Sequence, residues 1–507
     1  VLDAYTSING DVRNSLISSL PKSTSAGWPF KGKKYHHLVS DPTEQAPEGF
    51  SPNPELMARI KSMIQCYASG KRWGVVYKTC LKDEARDAAK VADRKIRLFT
   101  LGPLDFLIVT KMYYGMFMAK FTENFLETET VGGVNPFSPD WGEIKRRLYQ
   151  YDRVVNGDFS KFDKKTSTEV MMAAFTVVIN VIKAHNSVTE EQEAVMVGIA
   201  SEIASPVLLM DKELLEVPGS LSSGVLLTFL INNIVNSLYI RLAWLNTHRA
   251  YVADQLQMDL SRRDSLYCFR RDVVFYAMGD DNCYSVSDHA LEWFDFVTIQ
   301  AYFKSIGLKY TNSEKTDTTY RSHPGDQATI CKRKWVYNQE FEMWMAPLDK
   351  ASILKSLTIA VASKAITLEE QFENAVKASF LEVAQYGSDE YESFALALIA
   401  LGVIEESRVP NYTDLLRTQR EFGHTPWVPS QKAARDVVDA VPAGMALSLY
   451  RLKAELPYAL KGCQEVSASA MNREQADGIA GLLLSQLRGA TESYTTVLVC
   501  SLPYAFV

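Results

Sequence analysis

The run Tyr276-Ala277-Met278-Gly279-Asp280-Asp281-Asn282-Cys283-Tyr284-Ser285-Val286 constrains this chain more than any other. Two strand-like apolar stretches flank a glycine and two adjacent carboxylates. That is the pattern of a tight hairpin with acids at its tip. Gly-Asp-Asp is also ordinary turn chemistry. Acids held at such a tip suit two hard divalent cations engaged in phosphoryl transfer. What surrounds the hairpin decides between the two readings.

With 507 residues, 47% of them hydrophobic, the chain has enough material for a large core and two or three subdomains. Its net charge of −6 argues against non-specific coating of nucleic acid, yet leaves room for a local basic channel. Seven scattered cysteines form no CxxC pair, and seven histidines show no ligand spacing. This points to reduced thiols and against structural zinc. No signal peptide opens the chain, and residue 1 is Val, which fits release from a longer precursor. The apolar stretch 226–245 is interrupted by Asn232, Asn233, Asn236 and Arg241, so it reads as a buried helix and not a membrane span. Helices are expected over 104–125, 167–185, 190–204 and 290–306, with a mostly helical pattern over 350–507. A strand over 153–158 ends in an acid. Prolines and glycines punctuate the first half of residues 1–100.

Five groups of residues carry candidate chemistry. Asp158 meets the hairpin acids if its strand pairs with the hairpin, and three carboxylates around two cations make a two-metal site. Asp163, five residues on, either faces a ribose or caps a helix. Thr228 and Asn232 are spaced i,i+4 on one face of an apolar helix, beyond the loop containing Ser223 and Gly224. Such a pair suits a ribose 2′-hydroxyl, which both donates and accepts. The plainer alternative is a cap from Ser222 or Ser223, with the asparagines satisfied in the core. Lys82-Asp83-Glu84-Ala85-Arg86, followed by Lys90, Lys95 and Arg97, reads as a strand-like row of cations for a triphosphate. It reads equally as a solvated face paired with Asp83, Glu84, Asp87 and Asp93. Lys315 is placed to protonate a leaving pyrophosphate, or is simply a surface lysine. Cys331-Lys332-Arg333-Lys334-Trp335 could grip a backbone phosphate, or form an exposed strand edge.

Taken in order, these segments resemble the RNA-dependent RNA polymerases of positive-strand RNA viruses, most closely the picornavirus-like group. Thr24-Ser25-Ala26-Gly27-Trp28-Pro29-Phe30 resembles that group's template-entry motif, with Ser25 and Gly27 as RNA contacts. The 82–97 cations resemble its fingertip motif, and 131–141 the segment leading into the palm. Asp158 and Asp163 match the first palm motif. Ser223-Gly224, Thr228 and Asn232 match the second, and Gly279-Asp280-Asp281 the third. Lys315 and Lys332-Arg333 fall where the fourth and fifth belong. The resemblance covers roughly residues 22–350.

It implies an α+β right-hand polymerase, with an antiparallel palm sheet backed by helices and a mostly helical thumb. Fingers would occupy 1–102, the palm 103–165 and 217–345, a fingers insertion 166–216, and the thumb with a C-terminal extension 346–507. The implied reaction is template-directed transfer of ribonucleotides from NTPs to an RNA 3′ end, releasing pyrophosphate and copying a viral genome. Asp158, Asp280 and Asp281 would hold two Mg²⁺ ions, for which Mn²⁺ can substitute. Arg97 would contact the triphosphate, assisted by Lys82, Arg86, Lys90 and Lys95. Asp163 and Asn232, with Thr228 nearby, would test for the 2′-hydroxyl. Ser223-Gly224 would flex, and Lys315 would be the general acid. Implied partners are template and nascent RNA, NTPs, a protein primer and other viral replication proteins. The implied setting is host cytoplasm, in a replication complex or virion.

Three departures stand out. Few residues precede Ser25-Ala26-Gly27, Cys331 replaces a bulkier apolar residue, and about 170 residues follow the fifth motif. The tail 494–507 is too apolar to be left in water and is expected to pack on the thumb, with the product channel as the alternative. A reverse transcriptase would show Tyr-x-Asp-Asp. A polymerase of a small double-stranded-RNA virus shares the palm motifs. A non-catalytic RNA-binding relative would have lost acids that are intact here.

Overall fold

The computed structural model describes residues 1–14, 16–82, 84, 88–95, 97–313, 320–359 and 366–420. Its central sheet sets Tyr310–Asn312, Arg153–Phe159, Asp281–Val286 and Val273–Met278 side by side, all antiparallel. His323–Pro324 also pairs with Arg153–Phe159. Alternation along these strands feeds two different cores, as the period of two requires. Val155, Phe159, Phe275, Tyr284 and Val286 enter the main core. Val154, Tyr276 and Cys283 enter a second one with Trp141, Ile144 and Trp335. A strand covered on both faces needs apolar residues on both, which is why Arg153–Phe159 is buried from Val154 onward.

Helices back the sheet. Ser167 caps Thr168–His185 through the Val170 amide, and Thr189 with Gln192 forms a capping box on Glu190–Ala204. The long helix, Thr228–Gln255, begins two residues later than its apolar pattern does. It buries Leu230, Ile231, Val235, Leu238, Ile240 and Trp244. The expected helix over 290–306 splits into a short 3-10 turn, Ala290–Glu292, and a helix, Phe296–Ser305. The split follows from Asp295, whose carboxylate accepts from the Thr298 amide and restarts the helix. Among the described residues one helix, Thr168–His185, is long and apolar enough to cross a membrane. Here it buries Met171, Ala174, Phe175 and Val178 in the main core.

A second sheet runs Leu98–Leu101, Val76–Leu81, Val207–Met210, Glu213–Glu216. Its parallel pair, Val76 opposite Val207, ties the amino-terminal region to residues inserted more than a hundred positions later. The stretch 90–97 is not the strand-like row read from its charges. Ala88–Ala92 is a helix, as its alanines favour. Arg94 then takes a left-handed φ of 54°, and the ladder starts again only at Leu98. After residue 346 the described chain is helical, in Lys350–Thr358, Leu368–Val383, Ser388–Ala400 and Tyr412–Arg420, around Val376, Phe380, Tyr391 and Leu416. The helical expectation for 421–507 and the apolar tail at 494–507 fall outside the described residues.

Behind the central sheet, Trp141 stacks on Trp335 at 4.5 Å between centroids. Lys145 on the same helix, Asp140–Leu148, is 1% exposed. It donates to the Gly325 carbonyl at 2.6 Å and lies 3.9 Å from the Tyr149 ring centre. Burial pulls its pKa down from 10.5 to about 8. The unfolded chain therefore holds the proton that the folded protein has released between those two values, and stability rises with pH across that window. Lys145→Met removes this titration. Thermal melting should show wild type gaining on the variant between about pH 8 and pH 10.

Candidate active site

The hairpin has a two-residue turn. Met278 pairs with Asp281, leaving Gly279 and Asp280 at the tip. Gly279 has φ +65° and Asp280 does not share the positive sign, as in a type II′ turn. The neighbouring strand places Asp158 directly opposite Asp281. Residues opposite one another in an antiparallel pair share a face. The register therefore joins the two carboxylates predicted from separate segments and puts Asp280 at the adjacent tip. Asp158 is buried at 6% exposure.

Several groups fix the tip that sequence reasoning did not assign. The Gly279 amide donates to Asn233 Oδ1 at 2.6 Å, and Asn236 Nδ2 donates to the Gly279 carbonyl at 2.9 Å. The Cys331 amide donates to Asp281 Oδ2 at 2.6 Å. Cys331 and Lys332 have φ of 54° and 60°, and Ile330 and Arg333 exchange backbone hydrogen bonds across them. This is a type I′ turn built without glycine. Burial raises the Cys331 thiol to about 12, so it stays protonated. The signal for the asparagines was present, since 233 and 236 are i,i+3 in an apolar helix. Their backbone partners were not readable.

Asp163 sits exposed in the short helix Phe162–Lys165, after Lys161 in a left-handed conformation at φ 58°. Its carbonyl accepts from the Leu221 amide at 2.9 Å, which joins this turn to the loop containing Ser223 and Gly224. Thr228 donates its hydroxyl to the Ser222 and Val225 carbonyls, both at 2.8 Å, and so shapes that loop. Asn232 Oδ1 is buried and has no hydrogen-bond partner among the described residues. A buried acceptor left so is costly and calls for an outside donor.

The fingertip cations are exposed and carry acidic partners. Lys82 and Arg97 both reach Glu84, at 3.4 and 3.2 Å, and Lys95 reaches Asp93 at 2.8 Å. Lys90 is exposed on its helix. Arg86 and Lys315 lie outside the described residues. Lys332 contacts Ser352 at 3.2 Å. Arg333 makes a two-pronged pair with Glu382, at 2.6 and 2.8 Å, and lies over the Phe137 ring. Ser25 accepts from the Gly27 amide at 3.3 Å. Three glycines meet here. A Cβ on Gly27 would strike the Gly102 carbonyl, one on Gly102 would touch Gly224, and one on Gly224 would overlap the Thr100 carbonyl. The loop 24–30, the strand Leu98–Leu101 with Gly102, and the Ser223-Gly224 loop thus touch with no side chain between them.

A family model described as viral RNA-dependent RNA polymerase matches residues 10–400. The chain belongs to that family. It is 28% identical over 420 residues to the replicase polyprotein of Drosophila C virus, covering 80% of this chain and 23% of the polyprotein. It is 28% identical over 344 residues to that of Cricket paralysis virus, covering 67% and 19%. With the genome polyprotein of Rice tungro spherical virus (strain A) it shares 28% over 407 residues, 77% of this chain and 11% of the polyprotein. The chain thus spans less than a quarter of these relatives. The structure resembles a Sicinivirus 3Dpol RNA dependent RNA polymerase with a TM-score of 0.65 and 19% identity, over 82% of this chain and 80% of that one. The fold is the α+β right hand, as the order of motifs implied.

Polymerases of this family use divalent metal ions. The donor set fits hard cations, because every candidate ligand is a carboxylate oxygen. Among the described residues no group of three or more His, Cys, Asp or Glu is drawn together closely enough to cage an ion. The chain instead presents a facing pair, Asp158 and Asp281, with Asp280 on the turn beside them. The close approach of Gly224 to the Thr100 carbonyl sets how the Ser223-Gly224 loop lies against the strand Leu98–Leu101. Gly224→Ala should lower the elongation rate on the order of 10²-fold while RNA affinity stays near wild type. Single-turnover extension alongside RNA-binding anisotropy checks this.

Proposed function

We propose that this chain copies RNA by two-metal nucleotidyl transfer, with Asp158, Asp280 and Asp281 as the metal-binding residues. The observation that carries the reading is the register that sets Asp158 opposite Asp281 beside the Gly279-Asp280 turn. These carboxylates would hold two Mg²⁺ ions, and Mn²⁺ would serve in their place. Bound there, the ions lower the pKa of the primer 3′-hydroxyl and neutralise charge on the triphosphate and departing pyrophosphate.

The protein's own groups do the rest. Arg97, Lys82, Lys90 and Lys95, with Arg86, draw in the triphosphate, which exchanges for Glu84 and Asp93 as their partner. Those pairs are exposed and contribute little, so the exchange is inexpensive. Asn232 offers its unpartnered amide oxygen to the ribose 2′-hydroxyl, with Asp163 beside the same loop and Thr228 holding that loop in shape. Ser25 and Gly27 guide the template, and Ser223-Gly224 flexes as each nucleotide enters. Lys332 contacts the nascent strand, while Arg333 holds that turn against the helix bearing Glu382. Lys315 is the general acid for pyrophosphate.

Fingers over 1–102 and 166–216 share one sheet through Val76 and Val207, which supports that division of the hand. The palm takes 103–165 and 217–345, and the thumb begins at 346. The viral relatives support work inside infected cells, in the cytoplasm as part of a replication complex or virion. A protein primer and other replication proteins are the further partners.

The test is extension of a labelled RNA primer on an RNA template with Mg²⁺ and four NTPs. Wild type should extend it, and Asp280→Asn should abolish extension. A wild type inactive with and without primer would mark a non-catalytic relative. Asn232→Ala should lose preference for ribonucleotides over deoxyribonucleotides by about five- to thirtyfold, as expected when a hydrogen bond of roughly 1–2 kcal/mol is removed. Unchanged discrimination in competition assays would refute the ribose assignment.

A further inference from the structure

We infer that Asn233 and Asn236 are positioning residues that set the pose of the metal-binding carboxylates by clamping Gly279 between them, with Asn282 and Tyr310 as backing. This rests on the polymerase reading of the hairpin.

Side-chain packing does not hold Gly279 at the tip. Gly279 has no side chain, and a Cβ built there would meet nothing within 4 Å. Packing therefore does not fix the tip, and hydrogen bonds must. Both polar groups of Gly279 are taken by side chains of the long helix. Its amide goes to Asn233 Oδ1 at 2.6 Å, and its carbonyl receives Asn236 Nδ2 at 2.9 Å. Each asparagine is itself held. Asn233 Nδ2 donates to the Ala277 carbonyl at 3.0 Å and to Thr130 Oγ1 at 2.6 Å. Asn236 Oδ1 accepts from Asn282 Nδ2 at 2.9 Å, and Asn282 Oδ1 accepts from the Tyr310 hydroxyl at 2.7 Å. Asn236 and Asn282 are 0% exposed, Tyr310 1% and Asn233 3%.

The side chains in this chain of bonds are shielded from water, which stiffens the path from Tyr310 to Gly279. Gly157 makes room for it, since a Cβ there would overlap the Tyr310 hydroxyl. The clamp thus fixes where Asp280 and Asp281 begin. The Cys331 amide fixes one oxygen of Asp281 from the opposite side. A purely structural role would cost stability alone. A positioning role changes cation affinity and the chemical step while leaving substrate binding intact.

The experiment titrates Mn²⁺ into wild type, Asn236→Leu, Tyr310→Phe and an Asp280→Asn control, read by electron paramagnetic resonance, with single-turnover extension and thermal melting in parallel. Asn236→Leu keeps the branched shape, adds no charge and removes the Asn236 arm of the clamp. It should weaken Mn²⁺ binding several-fold and slow extension on the order of 10²-fold, with KM for NTP and RNA affinity within about twofold of wild type. Tyr310→Phe should show a smaller shift of the same kind. The two together should be non-additive, since they act through one chain of bonds. Wild-type Mn²⁺ affinity and extension rate in both variants, with only the melting temperature lowered, would overturn the inference. If Asn236→Leu does not fold, Tyr310→Phe decides alone. A wild type that binds Mn²⁺ through the clamp yet does not extend primer would refute the polymerase reading and leave the clamp standing.

Discussion

Two carboxylates facing each other across neighbouring strands are a liability in any sheet, since like charges directly opposite destabilise the pair. Asp158 and Asp281 stand in that relation, and much of the surrounding structure keeps them there. A one-residue slip of Arg153–Phe159 would send Asp158 into the main core and turn Phe159 out of it. Phe159 prevents the slip. It packs against Phe162, Tyr239, Phe303 and Tyr310, at 4.8–5.8 Å between ring centres. Gly157 adds a second lock, because only a residue without a Cβ lets the Tyr310 hydroxyl pass. Charge at the tip is thus held by apolar packing one residue further along.

The parts of this arrangement that repeat with a short period were legible in the sequence. Period-two alternation around Gly279-Asp280 gave the hairpin, and the acid closing residues 153–158 gave its partner. Apolar periodicity gave Thr168–His185 and Glu190–Ala204 nearly to the residue. What failed was local propensity overriding charge pattern. Ala88 and Ala89 wind into a helix where alternating cations had read as a strand, and Asp295 interrupts an apolar run that had read as one helix.

What could not be read were contacts to backbone atoms and to distant partners. Asn233 and Asn236 stood out as polar residues in an apolar helix, yet nothing in the sequence says that their partners are the peptide groups at 277 and 279. Arg333 looked like a phosphate contact because it lies in a basic run. Its carboxylate partner is 49 residues away, in a helix with no motif of its own. Lys145, buried among aromatic rings and bonded to a carbonyl, had no sequence signature at all.

The Arg333–Glu382 pair has a mechanical consequence. Both side chains are largely shielded from water, at 14% and 19% exposure, so separating them leaves a poorly solvated charge on each side. Arg333 closes the same four-residue turn whose Cys331 amide holds Asp281. An outward displacement of the helix Leu368–Val383 would therefore break that pair or drag the turn along. In the second case the Asp281 carboxylate would lose its Cys331 anchor. The Asp281 carboxylate and the helix Leu368–Val383 are thus mechanically linked through a single turn.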